Sequence, residues 1–413
     1  MLASAAAFRT LKKAAEFGLS TDGIGFDFSK IIDRKDWIVS QITGPRMREY
    51  FKAQAIDIID GTASFKSANE IDVDGRIISF DKAVIATGST PFVPPIEGLD
   101  EVGYITSNEA INLRGLPESI IIVGGSAVGL EFGTVYESFG SQVTIVELAP
   151  RIASKEDADI SHALHNYMNS RGVTIYTDAR IKRAFLDNGV KALSFENPEG
   201  EIIVGAREIL IATGRRPLTD NLNLENIGVE TGKKGIKVNK HLQTSIENIY
   251  AAGDVIPGFQ LAQAAAYEGD LVALNALSAN KVEVSFRVIP RVTWSYPEIA
   301  SVGITEDEAR EKGINYRIEK FTFSGLGRAF TDGERLGFVK AIADFDTGEI
   351  IGFHVIGHHA DEMIHEGVIA MQSRIKISEL AQAIHCELTM SEGVGNAFID
   401  LDELIHQERR MAA

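Results

Sequence analysis

The sequence runs to 413 residues, 45% of them hydrophobic, enough for roughly two or three domains with sizeable cores. Its 41 lysines and arginines stand against 58 aspartates and glutamates, and a net charge of −17 argues against nucleic acid or an anionic membrane as the main partner. No apolar run approaches the roughly 20 residues of a membrane-spanning helix. The single cysteine, Cys386, excludes a disulfide within this sequence and fits a reducing, cytoplasmic setting.

In chain order, the first stretch is Met1-Leu-Ala-Ser-Ala-Ala-Ala-Phe-Arg-Thr-Leu-Lys-Lys-Ala-Ala-Glu16. Its basic, Ala- and Ser-rich composition suits a targeting peptide, while its spacing suits a helix that buries Leu2, Ala6, Leu11 and Ala14 and keeps Lys12 and Lys13 solvated. A polar loop and a helix over roughly Lys30–Lys52 follow, then strand-like pieces at 56–59, 62–66, 71–73 and 76–79. From residue 119 the pattern becomes α/β alternation: strands near 119–123, 142–146, 173–176, 181–186, 190–195 and 201–204, with helices at 128–139 and 159–170. A strand, a glycine turn and a helix in succession mark a doubly wound sheet. Beyond Arg287, strands followed by helices at 307–312, 361–373 and 377–383 predict a separate α+β domain.

The strongest local motif is Ser119-Ile-Ile-Ile-Val-Gly-Gly-Ser-Ala-Val-Gly-Leu-Glu131. A strand runs into Gly124 and Gly125, with Ser126 at the position of a middle glycine, and Gly129 opens a helix. In such turns the first glycine makes the tight bend, the second lets backbone approach a pyrophosphate, and the third allows close helix–strand packing. The helix N-terminus then receives phosphate through its unpaired N–H groups and its dipole. The next strand ends in Val143-Thr-Ile-Val-Glu147. An acid there hydrogen-bonds the ribose hydroxyls of NAD and repels the extra phosphate of NADP, so NAD is the expected nucleotide. Arg151, just beyond, is expected to be a solvated loop charge.

Two strands end alike, in Val84-Ile-Ala-Thr-Gly88 and Leu210-Ile-Ala-Thr-Gly214, and Asn248-Ile-Tyr-Ala-Ala-Gly-Asp254 follows. With Asp60-Gly-Thr-Ala-Ser-Phe65, Leu261-Ala-Gln-Ala-Ala-Ala-Tyr-Glu-Gly269, Thr293-Trp-Ser-Tyr-Pro-Glu-Ile-Ala-Ser-Val-Gly303 and Arg328-Ala329, the order of motifs resembles the pyridine nucleotide–disulfide oxidoreductases. These are flavoenzymes such as dihydrolipoamide dehydrogenase, glutathione reductase and mercuric reductase. The resemblance covers essentially the whole chain. It implies two Rossmann-like dinucleotide-binding domains, the first incomplete, and a C-terminal α+β dimerisation domain. The expected boundaries are 1–115 with 235–286 for FAD, 116–234 for NAD and 287–413 for dimerisation. It implies FAD along Gly61, Thr87 and Gly88, with Gly253 and Asp254 at its ribityl–phosphate region. Leu261 and Ala262 would start the helix facing the flavin ring, whose reduced form is negative. Glu131 would lie near the nicotinamide, and Gly214 would close the NAD site. The implied activity is electron transfer between NADH and a small-molecule acceptor through flavin, in a homodimer.

The sequence departs from the family in two places. The family's chain opens with an earlier strand–glycine turn–helix and a Cys-x-x-x-x-Cys pair, and Met1-Leu-Ala-Ser corresponds to the helix after the second cysteine. The expectation is therefore a chain that begins partway through a larger domain, or a non-catalytic homologue that retains nucleotide binding or dimerisation only. At Ile384-His-Cys-Glu-Leu-Thr-Met-Ser-Glu392 the family's disulfide reductases carry His-Pro-Thr-x-Ser-Glu. The resemblance keeps Glu392 and puts Glu387 at the acid–base position, with His385 two residues early. A carboxyl titrates near 4.3 and an imidazole near 6.5, so Glu387 needs burial beside Glu392 to serve as a proton donor. Mercuric reductases also lack this histidine, but they carry a C-terminal cysteine pair, whereas this sequence ends Glu408-Arg-Arg-Met-Ala-Ala413. The stretch Gly357-His-His-Ala-Asp-Glu-Met-Ile-His-Glu366 places Glu362 and His365 three apart and reads as a domain helix rather than a metal site. Cys386 reads as a buried, inert thiol.

Overall fold

The run Ser119–Val123 has no polar interruption, and it forms a strand with a neighbour on each side and Ile120, Ile121 and Ile122 fully buried. In the computed structural model, which describes residues 1–412, it is the centre of a five-stranded parallel sheet. The order is Ile105–Thr106, Glu208–Ile211, Ser119–Val123, Gln142–Val146, Thr174–Tyr176. Parallel pairing requires a crossover, supplied between the third and fourth by the helix Ala127–Phe139, which Gly140 ends in the left-handed conformation. An antiparallel meander, Arg180–Asp187, Val190–Asn197 and Gly200–Ala206, is joined to this sheet in sequence.

The C-terminal region builds a five-stranded antiparallel sheet in the order Arg291–Thr293, Ile299–Gly303, Ile350–Gly357, Gly337–Asp344, Tyr316–Thr322. The helices Ala360–Gln372 and Glu392–Ala412 cover it, and Phe353, Val355, Ile364, Phe398 and Leu401 form its core. This region, the parallel sheet and the opening residues 1–31 make one compact unit (1–31, 93–213 and 287–413).

The second unit comprises 32–92 and 214–286. It holds the meander Ala63–Ser67, Glu70–Val73 and Arg76–Ser79, and the parallel pair Ala83–Ile85 with Ile249–Ala251. Its core includes Phe65, Ile85, Leu242, Ile249, Tyr250 and Val255.

Three local expectations change. The helix at 30–52 is two helices, Phe28–Thr43 and Pro45–Ala53, because Gly44 stands before a proline that fits only a first helical turn. Residues 56–59 form no strand despite their isoleucines, of which Ile56, Ile58 and Ile59 are exposed. The opening helix Leu2–Lys12 buries Ala5 and Phe8 instead of Ala6 and Leu11. Phe8 stacks on Phe139 with centroids 5.5 Å apart, and Arg9 bonds Ser138 Oγ at 2.8 Å and covers the Tyr296 ring at 4.0 Å. Lys13 is paired rather than solvated, 3.0 Å from Glu334 and 3.3 Å from the Tyr296 hydroxyl.

Candidate nucleotide and flavin sites

The strand Ser119–Val123 delivers the chain to Gly124, whose φ of +111° an L side chain rarely adopts. A Cβ on Gly124 would lie 2.4 Å from the Ala212 carbonyl oxygen, and one on Gly129 would lie 1.9 Å from that of Gly124. Helix and strand therefore approach to backbone distance. Ser126 stands at the N-cap in extended conformation, exposed, and its hydroxyl makes no capping bond to the helix. Ser126 and Ala127, at the start of that helix, are exposed, and the first N–H groups of a helix have no partner within it.

Glu147 lies at the end of the neighbouring strand. Its Oε2 accepts the Gly125 N–H at 2.5 Å and its Oε1 the Ala149 N–H at 2.7 Å. Each carboxylate oxygen keeps a further lone pair for another donor. Glycine turn, helix N-terminus and carboxylate are thus brought together as the spacing predicts. Glu131, one turn into the helix, is half-buried, and its Oε1 accepts the Trp294 N–H at 3.2 Å. Burial raises its pKa, outweighing that hydrogen bond. Arg151 is not simply solvated: it leans toward Asp307 at 3.5 Å, and its Nε is buried without a hydrogen-bond partner.

In the second unit, Asp254 follows Gly253, which has φ +76°. Asp254 Oδ2 accepts the Ser89 hydroxyl at 2.6 Å, and Arg215 grips Ser89 through Nε to Oγ at 2.7 Å and Nη2 to the carbonyl at 2.6 Å. The Gly253 N–H donates at 2.6 Å to Glu268, an acid only 1% exposed. Burial raises the Glu268 pKa, the Asp254 charge adds to the rise, and the Gly253 bond opposes it. Thr87 Oγ1 donates to the Leu218 carbonyl at 2.6 Å. Gly88 and Gly214 both have positive φ, and nothing lies within 4 Å of where their Cβ atoms would be. Gly61 is different: a Cβ there would strike Asp74 and Val73 at 2.6 Å. Leu261 is the N-cap and Ala262 the first residue of the helix Ala262–Leu277, whose Ala262 is exposed. A helix start with no side-chain cap, the open positions at Gly88 and Gly214 and the aligned Asp254 carboxylate fit the ribityl and phosphate parts of a flavin dinucleotide. Ser89, Arg215 and Glu268 were not singled out by motif reading; a serine after Thr-Gly and an arginine after the second Thr-Gly were the available signals.

At the C-terminal loop Glu392 Oε2 accepts the Leu388 N–H at 2.8 Å, while Glu387 is exposed. His385 Nε2 lies 2.9 Å from Glu366 Oε2, and a Cβ on Gly395 would meet its ring at 2.5 Å, so only glycine admits the imidazole there. Cys386 is exposed, not buried, because it sits on the outer side of this loop.

A parallel sheet with a glycine turn and a carboxylate at the end of the next strand, beside an antiparallel C-terminal domain, is the arrangement of a dinucleotide-dependent oxidoreductase. Residues 9–269 match the pyridine nucleotide-disulphide oxidoreductase family, and residues 289–398 match its dimerisation domain. The chain is 34% identical over 387 residues to a mercuric reductase of Staphylococcus aureus, covering 94% of this chain and 71% of that one. It is 34% identical over 419 residues to a dihydrolipoyl dehydrogenase of Bacillus subtilis (strain 168), covering 97% and 88%. Among solved structures, the HOCl-induced flavoprotein disulfide reductase RclA of Escherichia coli superposes with a TM-score of 0.82 at 29% identity, over 90% of this chain and 86% of that one. The chain belongs to the pyridine nucleotide–disulfide oxidoreductase family, FAD-dependent NAD(P)H oxidoreductases of the dihydrolipoyl dehydrogenase and mercuric reductase type. Its dimerisation domain supports a homodimer, and among the described residues no helix is long and apolar enough to cross a membrane.

Proposed function

We propose that this chain takes reducing equivalents from NADH, in preference to NADPH, and delivers them to a small-molecule acceptor in the cytoplasm. The observation that carries the preference is the Glu147 carboxylate, fixed by the Gly125 and Ala149 N–H groups beside the glycine turn. Its remaining lone pairs accept two ribose hydroxyls, whereas a 2′-phosphate would bring like charge against it. Gly124, Gly125 and Gly129 let backbone reach the pyrophosphate, the Ser126 hydroxyl donates to it, and the helix start at Ala127 receives it. Glu131 lines the nicotinamide end.

FAD, when bound, supplies two-electron exchange with the nicotinamide. Gly61, Thr87, Gly88 and Gly253 would lie along it, Asp254 would accept from its ribityl hydroxyls, and Leu261 and Ala262 would present their helix start to its ring. Ser89 and Arg215 keep Asp254 aimed. At the C-terminal loop Glu392 fixes the Leu388 backbone, and Glu387, exposed in the single chain, would serve as proton donor to the acceptor only where the partner copy buries it and keeps its carboxyl protonated. The same reading assigns 1–115 with 235–286 to FAD, 116–234 to NAD and 287–413 to dimerisation.

Purified protein with a flavin absorption spectrum, bleached by NADH and restored by an acceptor, is the expected result. A colourless protein that takes up neither added FAD nor NADH would overturn the proposal.

A further inference from the structure

Beyond Glu147 the chain passes behind the glycine turn as the segment 148–157. The Ala153 N–H donates to the Gly125 carbonyl at 2.7 Å, and the fully buried Ile152 has a methyl 2.8 Å from where a Gly125 Cβ would be. Ala153 is held at φ +46°, a conformation an alanine keeps only where its surroundings over-determine it.

The surroundings are an ion pair and an ion cluster. Glu156 takes Arg291 through both Nε and Nη2, each at 3.1 Å. Asp157, 1% exposed, accepts Lys340 Nζ at 2.8 Å and the N–H groups of Asp159 and Glu306 at 3.1 and 3.0 Å. Lys340 is itself 1% exposed and also lies 2.8 Å from both Asp159 and Glu306. Lys320 adds a contact to Asp159 at 3.2 Å and Arg310 one to Glu306 at 2.9 Å, so three carboxylates meet three cations. Burial alone would raise the Asp157 carboxyl, but the Lys340 hydrogen bond and the other contacts outweigh it and the pKa is lowered. At the centre of the cluster Lys340 and Asp157 are buried; such a pair contributes little net stability compared with apolar packing, but removing one partner strands the other's charge.

We infer that Lys340 and Arg291, both from the C-terminal domain, are positioning residues of the nucleotide site, holding segment 153–157 so that Ala153 and Ile152 fix the Gly124–Gly125 turn. This rests on the reading of Gly124–Glu147 as that site. The C-terminal domain then has a second task beside dimerisation: it sets the backbone N–H and carbonyl directions on which pyrophosphate and ribose are received.

NADH titration of the full chain, followed by fluorescence, tests this in wild type, Arg291→Met, Arg291→Lys and Lys340→Met. Arg291→Met raises the NADH dissociation constant about tenfold, and Arg291→Lys recovers most of the loss. Hydrogen exchange at the Ala153 amide accelerates in Arg291→Met, while amides of the strand Ser119–Val123 exchange as in wild type. Lys340→Met behaves like Arg291→Met; where it does not fold, Arg291→Met decides. Folded variants that bind NADH as tightly as wild type, with Ala153 equally protected, overturn the inference and leave the site reading intact. A wild-type chain that does not bind NADH removes the site reading and the inference with it.

Discussion

The glycine turn at Gly124–Gly129 is packed close at each of its glycines, whereas the loop Ile384–Glu392 leaves Ile384, Cys386, Glu387 and Leu388 exposed. Around the turn, a Cβ at Gly124, Gly125 or Gly129 would meet an atom within 3 Å, and Ala153 is held in a strained conformation. In the loop, Ile384 is 99% exposed, Leu388 is exposed at φ +58°, and Cys386 and Glu387 face solvent. His385 on Glu366, Glu392 on the Leu388 N–H, Thr389 on the Cys386 carbonyl and the core residue Met390 tie it down. The chain packs the glycine turn by itself, whereas Ile384 and Leu388 stay exposed in a dimerisation domain whose core takes up Met390 from the same loop.

The difference predicts where damage is costly. Lys340→Met leaves the buried Asp157 without its main cation, and breaking such a pair costs about 3–5 kcal/mol, read as a lowered denaturation midpoint. An unchanged midpoint would show that the cluster behind the turn is slack. Gly129→Ala forces the helix off the strand, since its Cβ would sit 1.9 Å from the Gly124 carbonyl oxygen. The expected cost is about 1–3 kcal/mol of stability, with NADH affinity lost alongside, checked by thermal melting and titration.

Much of the turn is legible in the sequence because its causes are local. The apolar run 119–123, the glycines and Glu147 lie within thirty residues of each other, and period and spacing suffice to place them. What supports the turn is not local: Lys340 is 183 residues from Asp157, and nothing in the sequence around either marks the pairing. The same holds for Ser89 and Asp254, 165 residues apart, and for Lys13, whose partners lie in the C-terminal domain. The opening helix shows the limit in another form. Periodicity gives a helix there, but Phe139 and Tyr296 decide that Ala5 and Phe8 form the buried stripe. At 56–59 the isoleucines suggest a strand, but a strand requires a ladder partner and none is built there.

A smaller, pH-dependent effect arises in the domain that carries the loop. Burial first, and the Asp361 carboxylate second, push Glu298 up to about 7 from 4.5, and its Oε2 is buried without a partner. A carboxyl raised on folding binds its proton more tightly in the folded state. Its stabilising share is therefore full below about 4.5 and is lost as pH rises through about 7. Between these limits Glu298 lowers the melting temperature as pH rises, and Glu131 and Glu268, also raised, act in the same sense, whereas His165, His354 and His358, lowered by burial, act in the opposite one; Glu298→Gln should remove its share of the slope. A slope identical in wild type and Glu298→Gln would contradict the carboxyl pair. Smallest of all, His385→Ala removes a partly exposed pair and should cost about 1 kcal/mol or less, read from the same melts. A larger loss would mean the loop is held more firmly than its exposure indicates.

The central claim is that Gly124–Glu147 receives NADH and that Glu147 selects it. Parallel titrations of the wild-type protein with NADH and NADPH at one ionic strength test it most directly. The account predicts NADH tighter by about tenfold or more, with the preference abolished in Glu147→Ala, as loss of hydrogen bonds to a charged group implies. Equal or tighter binding of NADPH by the wild type would contradict it.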